Sequence, residues 1–273
     1  MYMSQSKWYE KTIQLKRCKM SHKNVVLSVE NLSKTYKGVG YEVKALNNVS
    51  FDLIKGELLA VMGTSGSGKS TLLNIIGALD EPNEGEITLN GEMKKNMFIE
   101  PYATEYRREY IGFIFQSYNL LKDLTVEENI ALPLILKDKE KDQIDEQVQQ
   151  MLELLGLTAW KRHRPVQLSG GQQQRVAIGR ALIMQPPIVL ADELTGNLDF
   201  NTSTDILNVL VDMKKRFNQS IIIVTHDPYV AAYADRVLFF HDGQIIDSYK
   251  CIKEQKDMDN IINKFRRLMG KSQ

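Results

Sequence analysis

A glycine-rich segment at residues 63–70 has the residue types that bind a phosphate group. It reads Gly63, Thr64, Ser65, Gly66, Ser67, Gly68, Lys69 and Ser70. An apolar run, 58–62, precedes it, and a helix-like run, 71–79, follows it. Backbone N–H groups around the glycines would form a concave anion nest, and the helix N-terminus would add its dipole. This order of strand, loop and helix predicts a site for a nucleoside triphosphate.

Three side chains at the end of this segment predict how the phosphates are held. Lys69 would reach the β- and γ-phosphates, and the Ser70 hydroxyl would ligate Mg²⁺. Thr71 would lie next to Ser70 on the phosphate side. A flexible Gly/Ser loop before a helix is the alternative interpretation, but the Lys-Ser pair directly after the glycines disfavours it.

A second chemical pattern is an apolar strand that ends in two acids. Residues 188–191 are apolar, and Asp192 and Glu193 follow them. Asp192 would hold Mg²⁺ through water. Glu193 would polarise the water that attacks the γ-phosphate. A strand that simply stops at a charged surface is the alternative, and the phosphate-binding segment upstream favours catalysis.

The octet at residues 168–175 is the most specific pattern in the chain. It reads Leu-Ser-Gly-Gly-Gln-Gln-Gln-Arg, a turn that opens a helix. Together with the phosphate loop, it resembles the signature of the ATP-binding cassette (ABC) family, and the resemblance covers roughly residues 24–249. The resemblance implies an α/β fold: a P-loop NTPase core with a parallel sheet, an antiparallel β subdomain and an inserted α-helical subdomain at 117–167. It also implies ATP and Mg²⁺ as cofactors.

The resemblance assigns three further positions around the nucleotide. His226 matches the switch histidine, which touches the γ-phosphate and orients the water and Glu193. Gln116 matches the glutamine loop, whose amide oxygen ligates Mg²⁺. Tyr36 matches the aromatic residue that stacks on adenine, and Tyr41 competes with it because both are expected in one glycine-containing loop. From its residue type alone, His226 would be a cap or a surface residue.

The family pattern implies that one chain holds only two half-sites. Ser169, Gly170, Gly171 and Gln172 would present a hydroxyl and backbone N–H groups to the γ-phosphate of a second copy. Two chains in a head-to-tail arrangement would close two sites. The segment 196–199, ending in Asp199, resembles the D-loop beside the twofold axis. Leu194 departs from the family, which commonly has proline there. Activity is expected to survive, although the turn lacks the stiffness that a proline ring adds.

Hydrophobic periodicity predicts the elements that position these residues. Alternation at 25–29 and the short segment 49–53 predict strands, and 85–89 followed by Asn90-Gly91 predicts a hairpin. The unbroken apolar runs 188–191 and 221–225 are typical of strands buried on both faces of a parallel sheet. Residues 237–246 predict a closing hairpin. Helical spacing from Ile144 to Leu155, with Gly156 as a C-terminal cap, predicts a helix.

Two terminal segments lie outside this core. Residues 1–23 carry six basic residues against one acid. They are either a tail that touches anionic lipid or the permease, or a dispensable extension before a start at Met20; the second is favoured. Residues 250–273 include an amphipathic stripe of helical spacing, 258–269. Packing against the chain's own core is the favoured interpretation of the stripe, and contact with a partner or a membrane surface is the alternative.

Composition excludes some classes of protein. The net charge of +1 gives no global field for nucleic acid, so no nucleic-acid partner is expected. No apolar run approaches the roughly 20 residues of a membrane span. Cys18 and Cys251 lie far apart, in no metal-ligand spacing, and are expected to be free thiols. The chain is therefore expected to be cytosolic, at the cytoplasmic face of the membrane through a permease.

The amino-acid sequences of the segments 117–134 and 195–199 resemble those of one branch of the family. That branch contains the macrolide-export, lipoprotein-release and bacitracin-resistance cassettes. The resemblance implies an ATPase dimer that powers a separate permease, whose coupling helix would contact the groove around 117–134. The cargo would be antimicrobial peptides, antibiotics or envelope lipids. A cell-division signalling ATPase and an amino-acid importer ATPase remain alternatives, and a soluble cassette acting on ribosomes or DNA is disfavoured.

Overall fold

Two β-sheets organise the computed structural model, which describes residues 24–94, 96–254 and 256–270. The strands are β1 (Val25–Gly38), β2 (Tyr41–Ile54), β3 (Leu58–Gly63), β4 (Glu84–Leu89), β5 (Glu92–Met93), β6 (Ile111–Ile114), β7 (Ile188–Asp192), β8 (Ser220–Thr225), β9 (Arg236–His241) and β10 (Gln244–Lys250). The helices are α1 (Lys69–Ile76), α2 (Tyr102–Tyr110), α3 (Val126–Ile135), α4 (Lys141–Leu154), α5 (Gly170–Leu182), α6 (Phe200–Phe217), α7 (Pro228–Ala232) and α8 (Lys256–Met269). The predicted α/β fold is confirmed, while the subdomain boundaries at 117 and 167 stay predictions.

The larger sheet has the strand order β10-β9-β3-β8-β7-β6. β9, β3, β8, β7 and β6 run parallel, and β10 pairs antiparallel with β9. Both faces of β3 are covered, because Leu58, Ala60 and Met62 enter one core cluster while Leu59 and Val61 enter another. This explains the unbroken apolar runs, since a strand buried on both faces has no solvent side to carry polar residues.

The smaller sheet is antiparallel, in the order β2-β1-β4-β5. The expectation that Tyr36 and Tyr41 share a loop is wrong: Tyr36 lies in β1 and Tyr41 in β2. Gly38 pairs with Tyr41, so only Val39 and Gly40 form the turn, with Gly40 at φ 79°. Aromatic and β-branched residues favour the extended backbone here, although the lysines among them hide the alternation.

The helical region begins with a well-capped helix. Thr125 and Glu128 form a reciprocal capping box at the start of α3. Asn129 is fully buried and bonds the backbone of Leu121, Leu124 and Thr125, which fixes the loop before the helix. α4 ends at Leu154, and Gly156 follows in the left-handed conformation, at φ 65°. Gly156 therefore ends the helix as predicted.

Two helices differ from the sequence prediction. α1 ends at Ile76 rather than at 79, because Gly77 follows and Ala78 adopts a positive φ of 50°. α2, which precedes β6, was not predicted. Its two buried residues, Ala103 and Tyr106, are too few to give a periodic signal among charged neighbours.

The C-terminal stripe folds as α8 against the chain's own core. Ile261 is fully buried, and Phe265 packs on Phe239 with ring centroids 6.4 Å apart. Ile261, Phe265 and Leu268 of the stripe therefore serve internal packing, whereas Met258 stays exposed. The basic segment 1–23, with Cys18, lies outside the described residues.

A buried carboxylate fixes the start of α8. Asp257 accepts hydrogen bonds from the Tyr249 hydroxyl at 2.8 Å and from the N–H groups of Ile252, Lys253 and Glu254 at 3.0, 2.8 and 3.3 Å. Burial acts to raise the pKa of Asp257, but these hydrogen bonds outweigh it and hold the pKa below its usual value.

Replacement of Asp257 by alanine is expected to destabilise the fold by about 1–3 kcal/mol, because the three N–H groups and the Tyr249 hydroxyl lose their charged acceptor. A lowered pKa contributes stability above the unfolded-state value, and the contribution is lost as pH falls through the folded-state value. The difference in melting temperature between wild type and Asp257→Ala should therefore shrink below about pH 4. Asp259→Ala, an exposed acid in the same helical turn, is the control. Equal losses in both variants would contradict the prediction.

Candidate nucleotide-binding site

The glycine-rich segment forms a loop between β3 and α1. Gly66 and Gly68 have φ of 78° and 101°, a region that L side chains rarely adopt. Residues 64–66 are exposed, whereas Ser67 is buried. The glycines therefore turn the chain so that exposed backbone lies ahead of the helix N-terminus, as an anion nest requires.

Two distant backbone segments support this loop from behind. A Cβ atom on Gly68 would collide with the Ala45 carbonyl oxygen in β2. Gly243, in the turn between β9 and β10, donates its N–H to the Ser67 carbonyl at 2.9 Å and accepts from Asn47 N–H at 2.8 Å. The loop is thus held in place by both sheets.

The Lys69 ammonium group lies inside the loop. It donates to the carbonyl oxygens of Gly63 at 3.0 Å and Thr64 at 2.8 Å. Burial lowers the pKa of Lys69, and the charges of Glu193 and Asp192 oppose that shift. The partners of this buried cation are backbone carbonyl oxygens and not a carboxylate side chain, so its positive charge remains available to a phosphate ligand.

Ser70 and Asp192 face each other across the end of the loop. The Ser70 hydroxyl donates to Asp192 Oδ1 at 3.3 Å. Burial raises the pKa of Asp192; the charge of Glu193 adds to the rise, while Ser70 and Lys69 oppose it. A hydroxyl and a carboxylate are hard oxygen donors of the kind that Mg²⁺ prefers. The two residues therefore fit the predicted ion.

Glu193 and His226 meet at the ends of β7 and β8. His226 Nδ1 lies 2.9 Å from Glu193 Oε1, and the Thr225 hydroxyl donates to Glu193 Oε2 at 3.5 Å. The Glu193 side chain is 17% exposed and that of His226 is 65% exposed. The carboxylate is thus oriented from one side and open on another, as a base for water needs to be.

The backbone around Glu193 is sharply turned. Glu193 has φ 43°, and the N–H of Gly196 donates to its carbonyl at 2.9 Å. Leu194, which stands where the family commonly has proline, is buried in the core. Packing of Leu194 and the backbone bond therefore hold this turn without a proline ring.

Gln116 lies beside the turn that follows Glu193. A Cβ atom on Gly196 would lie 2.9 Å from Gln116 Nε2, and the Asn197 side chain donates to the Gln116 carbonyl at 3.3 Å. Within the described part of the chain, its amide makes no hydrogen bond with Ser70 or Asp192. Gln116 therefore contacts the segment 196–199 directly, and its role as a Mg²⁺ ligand stays a prediction.

The signature turn opens α5, as predicted. Ser169 and Gln172 form a capping box, with the Ser169 hydroxyl accepting from Gln172 N–H at 3.3 Å. A Cβ atom placed on Gly170 would touch Tyr118 and Leu198, and one placed on Gly171 would touch Thr202. None of these neighbours belongs to the phosphate loop. The structure thus places Gly170, which follows the exposed Ser169, against Leu198 of the same chain.

Asp199 and Tyr36 each have a structural partner. Asp199 caps α6, accepting from the Thr202 hydroxyl at 2.6 Å and from backbone N–H groups. The Tyr36 hydroxyl donates to Asp80 at 2.6 Å, and Lys34 Nζ lies 5.0 Å from the ring centroid. Tyr36 is still 40% exposed, which leaves it accessible to a base.

Sequence reasoning missed residues that hold these loops. Arg180 in α5 donates to the carbonyls of Asn119 at 2.6 Å and Tyr118 at 2.9 Å, where both residues have positive φ. Thr225 orients Glu193, and Asn197 joins two loops. Arginine on a helix and threonine at the end of a strand are common in proteins, so no local sequence pattern distinguishes Arg180 or Thr225.

A family model described as "ABC transporter" matches residues 46–196. The chain belongs to the ABC transporter family. The ABC transporter ATP-binding protein MJ0796 of Methanocaldococcus jannaschii is 43% identical over 224 residues, 81% of this chain and 95% of that protein. The lipoprotein-releasing system ATP-binding protein LolD of Legionella pneumophila is 41% identical, over 81% of this chain and 97% of that protein.

Solved structures of an ABC cassette show the same fold. A dimeric structure of MJ0796 has a TM-score of 0.75 at 41% identity and covers 82% of this chain and 98% of its own. A dimer of the same cassette in a post-hydrolysis state, bound to ADP and phosphate, has a TM-score of 0.72 at 39% identity with the same coverage. The chain is thus a nucleotide-binding ABC ATPase, the ATP-binding subunit of a transporter.

One further relative contains a permease in the same chain. The macrolide export ATP-binding/permease protein MacB 2 of Yersinia pestis is 42% identical over 81% of this chain, which matches 32% of that protein. In the described part of the ABC chain, no helix is long and apolar enough to cross a membrane.

The support behind the phosphate loop gives a prediction for its glycines. Gly68→Ala should lower the free energy of unfolding of the nucleotide-free protein by about 2–4 kcal/mol, because the added Cβ strains a positive φ and displaces the Ala45 carbonyl. Gly66→Ala is the matched control: its φ is also positive, but among the described residues no atom lies within 4 Å of the added Cβ. It should cost about 1–2 kcal/mol. Denaturant titration measures both, and equal losses would contradict the prediction.

Proposed function

We propose that this ABC subunit hydrolyses ATP with Mg²⁺, using Glu193 as general base. The observation that carries the proposal is the 2.9 Å contact between His226 Nδ1 and Glu193 Oε1, beside the Ser70–Asp192 pair. Glu193 would take a proton from the attacking water while Lys69 holds the β- and γ-phosphates. Mg²⁺ would neutralise developing phosphate charge from the side of Ser70 and Asp192.

The Glu193–His226 contact limits the proton positions during the reaction. An ionised carboxylate only accepts hydrogen bonds, so Nδ1 carries the proton in this pair. Nε2 then donates to a phosphate only if the ring is cationic. Phosphate binding through Nε2 therefore requires a cationic ring, whose positive charge would be balanced by the Glu193 carboxylate.

The same geometry supports a dimer with two shared sites. Ser169 is exposed at the N-terminus of α5, with backbone N–H groups available for an anion. The relative MJ0796 forms dimers in both structures. We infer that the signature turn, residues 169–172, binds the γ-phosphate held by a second copy, with Asp199 beside the twofold axis.

The membrane partner is proposed from the relatives and from one surface. LolD and MacB 2 are named for lipoprotein release and macrolide export. A surface cavity of about 380 Å³ is lined by Ser117, Tyr118, Asn119, Leu120, Lys122, Pro165, Val166 and Gln173. Its lining residues between 117 and 122 belong to the segment for which the family resemblance implies the coupling-helix groove. The chain would then work at the cytoplasmic face of the membrane, under a permease that exports or removes antimicrobial peptides, antibiotics or envelope lipids.

Glu193→Gln tests the chemical step. Turnover with the permease present should fall about 100-fold or more, because the amide cannot accept the water's proton, while ATP affinity should change little. Glu109→Gln, an exposed position on α2, is the control and should keep wild-type turnover. Phosphate release and nucleotide binding measure the two effects. Wild-type turnover in Glu193→Gln would rule out Glu193 as the base.

Gly170→Asp tests the shared site. In a Glu193→Gln background, ATP should drive dimer formation, and the carboxylate that Gly170→Asp adds should prevent it by repelling the partner's γ-phosphate. The neutral variant Gly170→Asn makes the same steric demand on Tyr118 and Leu198, so it should dimerise more readily than Gly170→Asp. Light scattering with and without ATP measures the dimer. An undiminished dimer in Gly170→Asp would contradict the proposal.

A further inference from the structure

A row of hydroxyl groups connects α7 with the first turn of α6. The Tyr229 hydroxyl lies 2.7 Å from the Thr204 hydroxyl and 3.1 Å from the Tyr233 hydroxyl. Thr204 in turn bonds the Phe200 carbonyl at 2.9 Å. We call Tyr233, Tyr229 and Thr204 the hydroxyl ladder. It joins the helix after His226 to the helix after Asp199.

The donors in the hydroxyl ladder all point one way. The Phe200 carbonyl oxygen can only accept a hydrogen bond, so the single hydroxyl proton of Thr204 is donated to it. Tyr229 must then donate to Thr204, and Tyr233 to Tyr229. Burial and the Tyr229 hydroxyl raise the pKa of Tyr233 to about 12, as expected for a phenol that keeps its proton. Each hydroxyl proton therefore has one acceptor, and only one arrangement of donors and acceptors satisfies the hydroxyl ladder.

Aromatic packing reinforces the ladder at the same point. The rings of Phe200 and Tyr229 are 4.8 Å apart at 44°, and those of Tyr229 and Tyr233 are 5.5 Å apart at 71°. Phe200 follows Asp199 directly and is itself 66% exposed. Tyr229 therefore joins α7 to the start of α6 through both its ring and its hydroxyl group.

At its other end, α7 leads to the catalytic carboxylate. Asp227 caps α7 by accepting from Tyr229 N–H at 2.8 Å, and its own N–H donates to the Thr225 hydroxyl at 3.0 Å. The Thr225 hydroxyl in turn lies against Glu193. His226 sits between Thr225 and Asp227. A helix of five residues has little stability of its own, so its position depends on such contacts.

We propose that Tyr229 is a positioning residue for hydrolysis: it anchors α7 to the first turn of α6 and thereby holds His226 against Glu193. The inference rests on the proposed roles of Glu193 and His226. It also ties His226 to Asp199, so the switch histidine is placed relative to the segment that faces the second copy. The hydrogen bonds of the Tyr229 hydroxyl go to Thr204 and Tyr233, away from the phosphate loop, and its effect acts through His226.

Tyr229→Phe removes the hydroxyl and keeps the ring. With the permease present, kcat should fall about threefold to tenfold, because the bond to Thr204 that joins α7 to α6 is lost together with the bond from Tyr233, while KM for ATP should stay unchanged. Tyr233→Phe removes only the outer rung and should change kcat less than twofold or so, since the Tyr229–Thr204 bond remains. Thr204→Ser should keep wild-type kcat because it retains the hydroxyl, whereas Thr204→Val should match Tyr229→Phe. Equal kcat in Tyr229→Phe and wild type would overturn the proposal.

A double-mutant cycle separates positioning from general loosening of the structure. If Tyr229 acts through His226, adding Tyr229→Phe to His226→Ala should cause no further loss in kcat. An undiminished loss in that background would show that Tyr229 acts elsewhere and would overturn the proposal. His226→Ala alone tests the underlying function: full activity there would refute the role of His226, whatever Tyr229 does. Melting temperatures of all variants identify any that fail to fold.

Discussion

The parallel alignment of β3, β8 and β7 is the constraint on which the site depends. Met62 pairs with Thr225, and Asp192 pairs with Val224, so the three strands end at one edge of the sheet. Residues from three distant parts of the chain are thereby delivered to one place. The same edge is where the apolar core meets solvent. Burial at this edge disfavours isolated charges, so it lowers the pKa of Lys69 and raises that of Asp192. A bound phosphate and a bound cation would offset these two shifts, because each brings the opposite charge.

The phosphate-binding half and the hydrolytic half of the site differ in the contacts that support them. The phosphate loop is held by backbone groups of both sheets, and Lys69 is buried within it. The hydrolytic half stands on short turns: Glu193 adopts a strained positive φ, and His226 is largely exposed. The first half is formed by one chain's core packing. The second depends on local contacts among Glu193, Thr225 and His226.

The sequence predicted what depends on buried apolar runs and on local backbone chemistry. β7 and β8 were found because both faces are buried, and Gly156 ends its helix because it adopts a positive φ. The position of β7 and β8 next to the phosphate loop was predicted from the family resemblance, because no local pattern indicates which strands are neighbours. Alternation identified only the segments 25–29 of β1 and 49–53 of β2, and it missed the hairpin that joins them because lysines interrupt the pattern there. The helix α2 was missed because only two of its residues are buried. Arg180 was missed because its partners are backbone carbonyls in a distant loop.

The turn at residues 242–243 has a consequence for protein engineering. A two-residue turn between surface strands is usually the first choice for inserting a peptide tag or a fluorescent domain. Here Gly243 joins the backbone of Ser67 to that of Asn47, so a fusion at this turn would pull on the phosphate loop from behind. The connection at 136–140, between α3 and α4, is exposed throughout and its backbone bonds stay within its own neighbourhood, so it is the better place to attach a reporter.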